Sequence, residues 1–219
     1  MGVITISRQW GSGAEEIAVK VCELLNYRYL DKYLITQVAT EQGLTENELV
    51  DFTTEHYRER NFLERLLRPG PYVVAELPVW TQDESGAETM GIKKLDEVRF
   101  VNFVRRVLLA AYQQDNVVIM GRGGQAVLQD SPGVLHVRIE APIATRLRRI
   151  QDREGILDVE KAYQMVVERD RKTAQYLGQL FGVRTDDPSL YHFLLNSSKW
   201  KTESAAQVIV AAVQQLVTK

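Results

Sequence analysis

A single cysteine, Cys22, stands among the 219 residues, which excludes an internal disulfide and any cysteine-built metal cage. Its place on the apolar side of the first helical pattern makes it a core residue. Histidine is nearly as scarce: His56, His136 and His192 are scattered without metal-ligand spacing and read as structural. No Ser-His-Asp or Cys-His constellation can be argued. No apolar run approaches the ~18 residues of a membrane span, and the start enters a strand pattern without a basic-then-apolar leader. The expectation is a cytoplasmic protein with no membrane partner. Nor is there an excess of one charge: 27 Lys and Arg against 29 Asp and Glu leave a formal net charge of -2. That argues against a nucleic-acid partner held by an overall basic surface, so any anion must be captured locally. Repeats and low-complexity tracts are missing too, and the length suits one domain, 1–219, with room for a large core and insertions.

What the chain does have is an organising stretch at its start. The β-branched run Val3-Ile4-Thr5-Ile6 leads into a turn with Gly11 and Gly13, after which Ile17, Val21, Leu24 and Leu25 recur on one helical face. Two glycines let backbone N–H groups point into the turn, and the helix start adds exposed amides and a positive dipole end. The chemistry suggested is phosphate binding. The turn departs from G-x-x-x-x-G-K-[ST]: aligned on Gly11 and Gly13, Arg8 replaces the first glycine and Ala14 the lysine, and no hydroxyl residue follows. The other reading is a plain turn into a helix whose Glu15 and Glu16 favour the dipole.

Further along, residues 26–30 read as a second strand ending at Asp31-Lys32, a position suited to ligand contact or to an ordinary capped turn. Leu34–Gln42 looks helical, Thr45-Glu46-Asn47-Glu48 forms a capping box, and 51–68 is a charge-laden helix stopped by Pro69-Gly70-Pro71. Tyr72–Gly91, with Pro78 and Gly86, shows no clean period and reads as a long excursion without regular structure. Leu95, Val98, Val101, Val104, Leu108 and Ala111 then mark an amphipathic helix. The fully apolar run 117–120 fits a parallel strand covered on both faces. It delivers Gly121-Arg122-Gly123-Gly124, either a close approach to phosphate or a glycine turn with a surface arginine. Residues 134–139 form the next strand, and Pro142 opens a helix with Arg146, Arg148, Arg149 and Arg153 around it. A further helix begins near Asp158 and carries Glu168-Arg169-Asp170-Arg171, a phosphate clamp or a solvated ion network. Leu190–Asn196 is read as the last strand, followed by a helix opened by Thr202. Strands alternating with helices imply a parallel sheet with right-handed crossovers.

Taken together, residues 4–13, Tyr29-Leu30-Asp31-Lys32, Met120-Gly121-Arg122-Gly123, Glu168-Arg169-Asp170-Arg171, Tyr176–Val183 and Asp187–Ser198 resemble the cytidylate kinase-like family, a branch of the P-loop nucleoside monophosphate kinases. The resemblance runs almost end to end and is weakest over 34–115. It implies an α/β, P-loop NTPase-like three-layer fold with a five-stranded parallel sheet in the order 2-3-1-4-5. It further implies a helical acceptor-binding insertion with its connecting helix at 34–115 and a lid at 154–187. The activity implied is ATP- and Mg²⁺-dependent phosphoryl transfer to a nucleoside monophosphate, CMP or dCMP first, which is chiefly positioning and charge neutralisation. The partner is then a small nucleotide; a homo-oligomer is left open. Carried over by position, Arg8, Gly11, Ser12 and Gly13 would bind the ATP phosphates. Asp31, Arg122 and Asp170 would face the acceptor, Arg122, Arg169 and Arg171 would serve catalysis, and Glu16 would meet Mg²⁺.

The departures concern charge. Kinases with an intact loop carry Lys at the position of Ala14 and Ser or Thr directly after it. Cytidylate kinases proper have acidic residues where Met120 and Gly123 stand, and the kinase-like branch tends to carry Arg where Glu15 stands. One charge pair at ~4 Å is worth roughly 4 kcal/mol near a surface before desolvation, so Glu15 and Glu16 oppose a polyphosphate unless Arg8, the lid arginines or Mg²⁺ offset them. The alternative expectation is a catalytically inactive nucleotide- or partner-binding module of the same fold.

Overall fold

The computed structural model describes residues 2–30, 73–82 and 88–216. Asp31, His56, the Leu34–Gln42 helix, the Thr45 capping box and the charged helix at 51–68 lie outside those residues. Two compact units form, Met1–Leu30 with Tyr112–Lys219, and Asp31–Ala111.

The first unit is built on a parallel sheet. β1 (Val3–Arg8) pairs with β5 (Val117–Met120) on one side and β6 (Val134–Glu140) on the other; β2 (Arg28–Tyr29) and β7 (Phe193–Asn196) close the edges. Counting only these strands, the order is 2-3-1-4-5. Ile4 and Ile6 point to one face, with Val118, Met120, Leu135, Val137, Ile139 and Leu195, and that face is covered by α1 (Ala14–Leu25) and α6 (Thr202–Gln214). Each fully buried Ile or Leu contributes about 1.5–3 kcal/mol, so this layer fixes the register of β1 and hence where the turn after it emerges. Ala14, Ile17, Ala18 and Val21 give α1 its buried stripe, whereas Leu24 lies on its margin and is exposed. Cys22 is half-buried against the same core, and burial pushes its thiol up to about 11.

Several elements begin or end where local chemistry dictates. β2 is two residues long because Asn26 takes the left-handed conformation (φ 55) that ends α1. β7 starts later than the apolar run suggests: Asp187 accepts from Ser189 N at 2.9 Å and holds 188–190 in a 3₁₀ turn. α3 (Gly124–Val127) follows β5, and α4 (Ile143–Glu154) follows β6 and ends at Gly155 in the left-handed region. α5 (Val159–Phe181) is capped by Asp158, whose carboxylate accepts from Glu160 N and Lys161 N.

In the second unit the Tyr72–Gly91 expectation is corrected. β3 (Val73–Gln82) and β4 (Glu88–Asp96) pair as an antiparallel hairpin, with Pro78 opposite Ile92. A two-stranded ribbon leaves one edge of each strand unpaired, so a proline without N–H fits where a central strand would reject it. α2 (Glu97–Gln114) follows, two residues later than Leu95 suggests because Leu95 belongs to β4. Among the described residues no helix is long and apolar enough to cross a membrane.

Candidate functional site

β1 delivers its C-terminal end to a turn that only glycine can make. Gly11 and Gly13 sit at φ 78 and 76, and a Cβ on Gly11 would stand 2.9 Å from Ile150 Cγ1 and 3.1 Å from the Arg146 carbonyl. Gly13 is also the N-cap of α1 and supplies no side-chain cap, so the first-turn amides have no acceptor from the cap side chain. Ser12 between them is fully buried, and its Oγ has no hydrogen-bond partner. Uncapped amides, a positive dipole end and two glycines in the turn make a cradle that fits a phosphate group.

A cation reaches the turn from across the molecule. Arg149 on α4 donates from Nη1 to the Ser12 carbonyl at 2.5 Å and to Ser197 Oγ at 3.0 Å, while Ser197 Oγ itself donates to that carbonyl at 2.5 Å. A Cβ on Gly13 would lie 3.0 Å from Arg149 Nη1, so the guanidinium occupies space that only glycine leaves. The objection from Glu15 is met locally: Arg8 Nε holds its carboxylate at 2.5 Å. Glu16 is exposed in the first turn of α1 and lines a cavity of about 460 Å³ with Gly11, Gly13, Arg149, Arg153 and Trp200. Among the described residues no three His, Cys, Asp or Glu side chains gather as a metal site. Glu16 and Asp152 are the carboxylates that line this cavity and could hold an Mg²⁺ ion, which takes most of its ligands from phosphate oxygens and water.

On the other side of the turn lies a second cavity of about 630 Å³, whose lining includes Arg8, Arg138, Asp170, Arg171 and Arg184. Arg138 is buried, pairs with Glu140 at 2.5 Å and lies 5.7 Å over the Tyr191 ring. Arg171 forks onto Glu168, with both bonds at 2.9 Å, and reaches Gln175 at 2.8 Å; the pair is exposed, and the hydrogen bond from Arg171 holds the Glu168 carboxyl below the usual range. Arg122 stands at φ 56 between Gly121 and Gly123, both also left-handed, and its Nη1 donates to the Met120 carbonyl at 3.3 Å. Arg8 Nη1 would lie 3.1 Å from a Cβ on Gly121, so the two glycine turns meet at Arg8. Nearby, burial raises the Tyr29 hydroxyl above its usual value, against the opposing pull of Arg8 and Arg122.

The structure thus brings together Arg8, Gly11, Ser12, Gly13 and Glu16 around one turn. Asp170 has both carboxylate oxygens engaged by the protein itself: Oδ1 accepts from Trp10 N at 2.9 Å and Oδ2 from Arg146 Nη1 at 2.5 Å. Arg169 lies over the Trp10 ring rather than on the face of Arg171. Sequence reasoning missed Trp10, Arg146, Arg149 and Ser197. The spacing of Arg146, Arg149 and Arg153, at i, i+3 and i+7, places all three on one face of α4, and that was the available signal.

The chain matches the model of the cytidylate kinase-like family over residues 3–199. A cytidylate kinase of Pyrococcus horikoshii is 26% identical over 98% of this chain and 89% of its own length. One from Pyrococcus furiosus matches with the same identity and coverage. An uncharacterized protein from Eubacterium ventriosum shares the fold with a TM-score of 0.63 at 20% identity, over 98% of this chain and 99% of its own. Matched over nearly its whole length, the chain belongs to the cytidylate kinase-like family.

Proposed function

We propose that this chain is a nucleoside monophosphate kinase that moves the γ-phosphoryl of ATP to CMP or dCMP with Mg²⁺. The observation that carries the reading is the uncapped glycine turn with a cavity on each side, one bounded by Arg149 and Arg153, the other by Arg8, Arg138 and Arg171. A donor and an acceptor seated in these cavities would each border the β1–α1 turn, at Gly11 and Gly13 in the first and at Arg8 and Gln9 in the second. Family membership and the relatives named cytidylate kinase support the nucleotide class.

In this reading Gly11, Ser12, Gly13 and the first amides of α1 hold the donor phosphates, and Arg149 supplies the cation that Ala14 lacks. Trp200, half-exposed at the cavity wall, offers a flat face for the donor base. Glu16 meets Mg²⁺, which when bound neutralises developing charge on the phosphates. Arg122, Arg169 and Arg171 act on the transferring group, Asp31 and Arg122 face the acceptor, and Asp170 serves by holding Trp10 and Arg146 in place. Chromatography of mixtures containing the protein, ATP, Mg²⁺ and each nucleoside monophosphate tests the proposal. A diphosphate product with CMP or dCMP is expected; ATP binding without any product would favour the inactive-module alternative.

A further inference from the structure

Trp10 stands in the phosphate turn between Gln9, which lines one cavity, and Gly11, which lines the other. Its backbone is held on both sides: the N–H donates to Asp170 Oδ1 at 2.9 Å and the carbonyl accepts from Arg146 Nη1 at 3.3 Å. Its ring carries two cations, with the guanidinium carbons of Arg153 on α4 and Arg169 on α5 at 5.3 and 5.5 Å from the centroid. A long arginine beside a turn is free to swing to a carboxylate, which holds it only by neutralising it, as Glu15 does to Arg8. An aromatic face holds a guanidinium without cancelling its charge and leaves the in-plane N–H donors outside the contact. Arg153 does share Nε with Glu154 at 2.9 Å, on the exposed side of α4.

We propose that Trp10 is a positioning residue whose indole face holds the guanidinium groups of Arg153 and Arg169 beside the phosphate turn, where they meet the oxyanions of a bound polyphosphate. This rests on the reading of the turn as a phosphate site. One side chain in the turn thus gathers a cation from each of two helices, Arg153 from α4 and Arg169 from α5.

The probe is inorganic triphosphate, which carries the anion without the base, titrated calorimetrically into the full-length protein. Replacing Trp10 alone by a multiply fluorinated tryptophan keeps shape and volume but drains the ring of its negative face. Affinity should fall about fivefold, and Trp10→Phe, which keeps a π face, should stay within about twofold of the parent. Trp10→Leu should weaken binding at least as much as fluorination while the melting midpoint follows that of Trp10→Phe. Unchanged affinity on fluorination, or equal losses for Phe and Leu, would overturn the inference and leave the phosphate site standing. Failure of the parent protein to bind triphosphate would overturn the phosphate-site reading and the role of Trp10 with it.

Discussion

A lost lysine is not a lost charge when a guanidinium reaches the same turn from another helix. Arg149 touches the carbonyl of Ser12 and overhangs Gly13, so the cation sits on the turn although no local motif contains it. Gly13→Ala should therefore separate binding from stability. Its Cβ would meet the flexible end of Arg149, costing about 1–2 kcal/mol through backbone conformation while displacing the cation. Gly11→Ala meets Ile150 and backbone instead and should destabilise more, by about 2–4 kcal/mol in denaturant unfolding. His136 gives a pH signature. Its Nδ1 lies 2.6 Å from Thr5 Oγ1 and its Nε2 3.2 Å from the Leu128 carbonyl, so the neutral ring is satisfied at both nitrogens. Burial, then the stacked His192, lowers its pKa to about 4. An unfolded histidine binds its proton near 6.5, so the stabilisation is complete above that pH and is lost as pH falls towards 4. About 3 kcal/mol should disappear across that window in urea melts, and His136→Gln should flatten the slope.

At the scale of elements, α4 and α5 hold the turn through a few long side chains. Asp170 on α5 bonds Trp10 N and pairs with Arg146, a buried arginine whose Nε has no partner. Asp170→Asn should cost about 2–3 kcal/mol in denaturant unfolding, because Arg146 keeps its charge without its counter-ion while part of the site is open to solvent. It should also raise the KM for the donor more than it lowers kcat, since the turn loses its anchor rather than a reacting group. The strands and helices of the first unit were legible because Val117–Met120 is apolar on both faces, Leu135, Val137 and Ile139 alternate with His136 and Arg138 along β6, and glycines mark the breaks. The β3–β4 hairpin was not, since Pro78 and Gly86 read as breakers, whereas a two-stranded ribbon accommodates Pro78 opposite Ile92. Nor was the contact of Arg149 with Ser12, 137 residues away in sequence: the spacing of Arg146, Arg149 and Arg153 marks one face of α4 but not what that face meets.

For the whole molecule, an almost neutral chain with a net charge of -2 gathers guanidinia at a single turn, so anion binding should act on the fold as a local clamp. ATP with Mg²⁺ at a hundred times its Kd should add about 2.7 kcal/mol and raise the melting midpoint by about 5–10 °C. The parallel order 2-3-1-4-5 was readable from alternating elements and the family resemblance, because crossover handedness and strand burial leave few topologies. The acceptor side was less so: Asp31 lies outside the described residues, and the cations around the second cavity come from β1, β6, α5 and the loop after it. The most direct measurement follows γ-labelled phosphate from ATP into CMP, with the parent protein and Arg149→Ala side by side. The account predicts labelled CDP from the parent and turnover reduced about a hundredfold or more in the variant, with its fold retained. Labelled CDP formed equally by both would contradict the replacement of lysine by Arg149, and no label in any diphosphate would contradict the kinase itself.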